Sequence, residues 1–236
     1  KIPFMVSISS AIKFGTVELL KDQKMVTILA TIRHFHGLYA KRGFRVETLM
    51  MDGEFEPLRG ELSILGITLN TVSRGEHVPE AERRIRTLKE QTRSAYNMLP
   101  FNKIPAQMTV QMVYSSNFWL NVFPPGDGVS REHSPRELIT GMEIDYNKHC
   151  QLEYGAYAQV HEEHDNSMST RTTGAIAMRP TGNSQGGYYF YSLATGRLLN
   201  RNHWTELPMP AEVIQRVHDL AKNSAAGVTF TVKCGH

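Results

Sequence analysis

The hydrophobic period of this sequence changes near residue 150, and that change bounds the possible folds more tightly than any other feature. Before it, apolar residues recur at helical steps between short β-branched runs. Ile28, Ile32, Phe35 and Tyr39 fall at steps of four, three and four, and Gly43 suits the stop. Ile85, Leu88, Thr92, Ala95 and Leu99 form a second stripe of the same kind. A third helix is predicted from about Pro105 to Phe123, ended by Pro124 and Pro125. IPFMVSIS (2–9), KFGTVELL (13–20), FRVETLMMD (44–52) and GITLNTVS (66–73) read as strands, with a short helix over EPLRGELSIL. FRVETLMMD reads as mostly buried and ends on an acid, with Met50 and Met51 as core filler.

Past residue 150, YGAYAQV, GAIAMRP, GGYYFYSL and RLLNRNHWTEL are short strands separated by turns such as TGNSQGG and ATG. Four or five such strands in roughly 60 residues predict a small antiparallel barrel, its aromatics Tyr188, Tyr189, Phe190 and Tyr191 serving as core rather than as a base-stacking platform. A short amphipathic helix, EVIQRVHDLAK, follows Pro210. The expected class is therefore α/β followed by a small all-β module. Its expected divisions are an α/β core over 1–145, a barrel over 146–208, and a helix and tail over 209–236.

Composition excludes several classes. Hydrophobic residues make up 41% and charged residues 21%, which suits a globular chain with a real core. Two cysteines, Cys150 and Cys234, form no CxxC pair, so neither a disulfide framework nor a cysteine zinc site is expected, and a reducing compartment is. No apolar run reaches membrane-span length and no signal peptide opens the chain. The first residue is Lys1, as expected of a segment cut from a longer protein. Net charge is only +3, so the placement of charge matters more than its total.

That placement is concentrated in EHVPEAERRIRTLKEQTR (76–93). On a helix turning about 100° per residue, Glu82, Arg86, Lys89 and Arg93 share one face, with Arg83 at its flank. Glu80 points the other way and reads as a solvated first-turn acid. A basic stripe suits the phosphate backbone, and a carboxylate at its head suits a divalent metal. Asp52, at the end of an apolar strand, is the second candidate ligand, 82 − 52 = 30 residues upstream. Both acids also have plain readings: Asp52 as a turn former in Asp-Gly-Glu, Glu82 as a complement to the helix dipole or a partner for Arg86. HEEHD (161–165) lacks the HExxH spacing and is not expected to bind zinc.

Four motifs in colinear order carry a resemblance. MDGEF resembles the DNGxEF segment of retroelement integrases, and AERRIRTLKE resembles their AERxNRTLxE segment. FWLNVFPP followed by SPRELITG resembles the YLINRxP … TPxELW stretch of copia-type retrotransposon integrases. GAIAMRPTG … GGYYFYSLATGRLLNRNHWTEL resembles the block that follows it in that family. Together they span about residues 2–208. The resemblance implies an RNase H-like core, a mixed five-stranded sheet with helices on both faces, followed by an SH3-like β-barrel. It implies cutting and joining of DNA ends with Mg²⁺ or Mn²⁺ held by Asp52 and Glu82, phosphates held by Arg83, Arg86, Lys89 and Arg93, and residence in a virus-like particle and the nucleus. Its implied partners are DNA, a second copy of the chain and other polyprotein segments, with no membrane.

The departures are specific. Aligning FMVSISSAIKFGTVELLKD on the family's FIDDYSRKxW pattern, with Lys13-Phe14 and Leu20 to Asp22 as anchors, puts Ser9 where the family has its first metal-ligating Asp. The Asn that follows the final Glu in the family is Ile85 here. The interval from Asp52 to Glu82 is shorter than in the family, and the family's upstream His/Cys zinc domain is not within these 236 residues. Two classes of function therefore stay open: a metal-dependent strand-transfer enzyme, or a nucleic-acid-binding or assembly module of integrase descent with no catalytic metal.

Overall fold

The computed structural model describes residues 2–72, 78–162, 168 and 170–223. The chain is mixed α/β and divides into two compact units, which are not split at a single point in the sequence. One unit holds Ile2–Lys89 and Trp119–Glu143; the other holds Glu90–Phe118 and the chain from Ile144 onward.

In the first unit, β1 (Phe4–Ile8) and β2 (Gly15–Leu19) form an antiparallel hairpin registered from Phe4 opposite Leu19 to Ile8 opposite Gly15. Helix α1 (Met25–Ala40) follows and buries Ile28, Ile32, Phe35 and Tyr39, the stripe its spacing predicts. Strands β3 (Thr48–Asp52) and β4 (Thr68–Val72) run parallel, joined through a 3₁₀ turn (Gly53–Leu58) and α2 (Arg59–Ile64). Leu20, Ile28, Ile32, Leu58, Leu62, Ile67 and Leu69 make the core here. Helix α5 (Pro135–Thr140) shows how closely local sequence sets a boundary. Ser134 caps it by accepting from the Glu137 N–H at 3.1 Å, Pro135 occupies the first turn, and Gly141 closes it at φ 70°.

Two expectations are corrected in this unit. The four strands form two separate two-stranded sheets, not one mixed five-stranded sheet, among the described residues. Strand β3 is not mostly buried: only Met51 is, while Met50 is 51% exposed. A strand paired along one edge and packed on one face leaves its alternate side chains in solvent.

Helix α3 (Pro79–Met98) contributes its first half to one unit and its second half to the other, and α4 (Ala106–Leu120) passes between them near its end. The second unit then adds α6 (Tyr146–His149) and a five-stranded antiparallel sheet of β5 (Tyr157–His161), β6 (Thr172–Pro180), β7 (Tyr188–Ser192), β8 (Leu198–Arg201) and β9 (Trp204–Glu206), in the order β8-β7-β6-β5-β9. The edge strands β8 and β9 do not pair with each other, so the sheet is open where a closed barrel was expected.

Strand β6 is buried on both faces. Ala175 and Ala177 pack with Val160, Tyr188 and Phe190, while Ile176 and Met178 pack with Met108 of α4 and with Val213 and Val217 of α7 (Ala211–Asn223). A bulge between Ala177 and Arg179 shifts its register against β7. The aromatic run of β7 is core, as expected: Tyr188, Phe190 and Tyr191 are nearly inaccessible, and Tyr188 and Phe190 meet Trp204 edge-on or tilted at 5.1 and 5.6 Å.

The Tyr188 hydroxyl donates to the His149 carbonyl and accepts from the Gln151 N–H at 3.0 Å. Tyr188→Phe removes a donor from the buried His149 carbonyl and is expected to cost about 1–3 kcal/mol in a urea melt at neutral pH. Burial raises the Tyr188 phenol above its ordinary 10, against the opposing pull of the Leu152 and Gln151 N–H groups. Above pH 10 the unfolded phenol releases its proton first, so the unfolded state binds fewer protons and stability falls as pH rises. Tyr154 and Tyr191 shift the same way, also through burial. Urea midpoints should therefore decline above pH 10, less steeply in Tyr188→Phe than in the parent.

Candidate nucleic-acid interface and the polar knot beside it

Helix α3 begins at Pro79, a residue suited to a first turn, with Glu80 and Glu82 at its positive end. Its buried stripe runs through Arg84, Leu88 and Thr92, with Ala81, Ile85 and Ala95 half-buried. The opposite face is the basic one. Arg83, Arg86, Lys89 and Arg93 are all exposed, and none forms an ion pair among the described residues. Exposed cations along one helix can each meet a phosphate oxygen, and each such contact releases a counterion.

The two candidate acids are less favourably placed for a metal. Asp52 lies at the end of β3, opposite Val72 in register, where it heads the 3₁₀ turn without a side-chain cap bond. It is exposed, so the cost of burying a carboxylate, which made it a candidate, is absent. Glu82 is exposed on the first turn of α3. Among the described residues, no group of three or more His, Cys, Asp and Glu side chains converges closely enough to hold a metal ion. Two-metal phosphoryl transfer needs converging carboxylates, and none converge among the described residues. His161 ends β5, whereas Glu163, His164 and Asp165 of the HEEHD stretch lie outside the described residues.

Glu80 corrects the solvated reading. It is half-buried and pairs with Lys13, whose Nζ also lies 3.2 Å from Asp127 Oδ2. Glu80 is the main reason that the Lys13 ammonium sits above its ordinary value. Lys13 adopts φ 62°, an unusual conformation for a residue with a side chain, and its N–H closes the turn onto the Ser9 carbonyl at 2.9 Å.

Ser9 therefore lies inside a tight turn. Its Oγ accepts from the Ile12 N–H at 3.2 Å, and the Tyr39 hydroxyl donates to the Phe14 carbonyl at 3.2 Å. Burial pushes the Tyr39 phenol up to about 12, against the opposing effects of Ser9 and Arg84. Arg84 is 9% exposed, and burial pulls its guanidinium down to about 10. Its plane lies so close to Gly15 that a Cβ there would fall 2.5 Å from two guanidinium nitrogens. Asn121 holds the arrangement: its Oδ1 accepts from the Gly15 N–H at 2.9 Å and from Arg84 Nη2 at 3.0 Å, and its Nδ2 donates to the Gly15 carbonyl at 2.7 Å.

The reading of the sequence missed Arg84 and Asn121. A signal existed for both. Arg84 falls three residues after Ala81 and four before Leu88, on the buried stripe, and Asn121 stands among apolar neighbours in FWLNVF.

No family model matches this chain, and no curated protein sequence does. Among solved structures, it is similar to a chain in the cryo-EM structure of the simian T-cell lymphotropic virus intasome in complex with PP2A regulatory subunit B56 gamma. Identity is 14%, coverage is 87% of this chain and 74% of that chain, and the TM-score is 0.35. At that TM-score the two folds are not equated, and nothing about this chain follows from the likeness. No helix of the described residues is long and apolar enough to cross a membrane.

Proposed function

We propose that this chain is a nucleic-acid-binding module of copia-type integrase descent that grips the phosphate backbone of DNA with the exposed face of α3. The observation that carries this reading is the row of exposed cations Arg83, Arg86, Lys89 and Arg93, none of which forms an ion pair among the described residues. The four colinear motifs support the descent, and with it an RNase H-like assignment for 1–145 and an SH3-like one for 146–208. A second copy of the chain and other segments of a polyprotein are the further partners this descent suggests. Strand transfer with Mg²⁺ or Mn²⁺ held by Asp52 and Glu82 is the second reading that this descent supports; a neutral hydroxyl at Ser9 and the lack of converging carboxylates among the described residues favour the binding module.

The test is fluorescence anisotropy with labelled duplexes of unrelated sequence across a range of KCl. Contacts to phosphate bind all duplexes alike, and log K falls with log salt at about 0.9 per phosphate neutralised, so three or four contacts predict a slope of roughly −3. Absence of binding at low salt, or a slope near zero, would sink the reading.

A further inference from the structure

We infer that His149 carries a proton on each ring nitrogen in the folded chain, and that this imidazolium is a pH-sensitive staple between α6 and the loop 181–187 that joins β6 to β7. His149 is 2% exposed. Its Nδ1 lies 2.8 Å from the Asp145 carbonyl oxygen at the head of its own helix, and its Nε2 lies 2.9 Å from the Asn183 carbonyl oxygen, 34 residues along the chain. A backbone carbonyl oxygen only accepts. A neutral imidazole has one N–H and one lone pair, so it satisfies one of these oxygens and turns its lone pair on the other. Only the doubly protonated ring donates to both. Burial opposes a charge here, but it also makes the lone-pair contact costly, and hydrogen bonds from a charged donor are roughly twice as strong as neutral ones.

The loop 181–187 holds no titratable residue. On α6 and beside it stand Asp145, Tyr146, Lys148 and Cys150, and β7 meets His149 through Tyr188. Asp145 Oδ1 accepts from the Asn147 N–H at 3.0 Å, and Lys148 Nζ donates to the Ser184 carbonyl at 3.2 Å and lies 3.7 Å from Asp145 Oδ2. Tyr146 is exposed, and the Tyr188 hydroxyl is on the His149 carbonyl. Burial raises the Cys150 thiol and the Tyr188 phenol above their ordinary values, so neither changes charge where histidine does. Asn183, which receives Nε2, also shapes the loop: its Oδ1 accepts from the Gly186 and Gly187 N–H groups at 3.0 and 3.3 Å. Loss of the second proton therefore loosens α6 from the residue that sets the turn. Above the ordinary histidine value of about 6.5, the unfolded ring has given up a proton that the folded ring keeps. The unfolded state then binds fewer protons, and stability falls as pH rises.

The experiment has two readouts on the full chain. The first is the ring ¹⁵N spectrum of the parent at neutral pH, with His149 assigned through correlations to its own backbone. Both nitrogens are expected at the shifts of protonated nitrogen, and a bare nitrogen on His149 would overturn the inference. The second is the urea midpoint of the parent and of His149→Gln, whose amide does not titrate, from about pH 5.5 to about pH 8.5. Relative to the variant, the parent's folding equilibrium constant should fall by up to about tenfold per pH unit above about pH 6.5, as the loss of one proton requires. Parallel pH profiles for the two proteins would also overturn the inference. If His149→Gln does not fold, the ring spectrum of the parent decides the matter alone.

Discussion

Replacing Arg86, Lys89 and Arg93 together by alanine weakens duplex binding across all sequences and flattens its salt dependence by about 2.7 in log–log slope. The figure follows from three phosphate contacts at about 0.9 each. The parent should lose about 40-fold in affinity on a fourfold rise in salt from those contacts alone, and the variant should lose little. The substitutions lie on the exposed face of α3, and alanine is the best helix former, so the helix itself should persist. Circular dichroism at parent strength would establish that. The matched control replaces Arg33 and Lys222, exposed cations that pair with Glu61 and Asp219, and should leave binding as it was. If the triple variant bound with the parent's affinity and slope, the row would be a solvated face and the proposed function would lose its main support.

Asn121→Ala is expected to be the most damaging single change in the unit that holds Ser9. One side chain, 3% exposed, satisfies the Gly15 N–H, the Gly15 carbonyl and one arm of Arg84. Its loss removes one partner from each of two backbone groups and weakens the hold on a buried cation, at about 1–3 kcal/mol for each group left unsatisfied. A total near 3–5 kcal/mol is expected once water and local relaxation recover part of the loss, measured as a lowered urea midpoint with unchanged m-value. Asn121→Asp separates the contributions. It offers Arg84 a carboxylate but turns an acceptor toward the Gly15 carbonyl, so it should fall between the parent and alanine. A parent-like midpoint for Asn121→Ala would mean that the hairpin end and Arg84 do not depend on this amide.

The elements themselves were largely legible in the sequence. Helix α1 follows from Ile28, Ile32, Phe35 and Tyr39 because a 3.6-residue period admits only one buried face. Helix α5 follows from Ser-Pro-Arg-Glu and Gly141 because capping is a local interaction between neighbours in the chain. The short strands after residue 150 and the exposed basic row of α3 follow from the same local periodicities. Burial across elements was not legible in this way. A mostly apolar run such as TLMMD looks the same whether its strand is covered on both faces or packs through Met51 alone, because coverage depends on how many strands pair beside it. Glu80 departed from its expected solvated role for a similar reason: a helix wheel shows which way Glu80 points but not that Lys13, 67 residues away in sequence, waits there at a positive φ. Arg84 belongs to the same class. Its spacing places it on the buried stripe, but what it meets there, Gly15 and Asn121 among others, comes from distant segments of the chain. Sequence periodicity thus determined where the helices and strands lie and which face of α3 carries charge, since both depend on near neighbours. The tertiary structure decided which polar groups meet in the interior, because desolvation and hydrogen bonding act on distances through space.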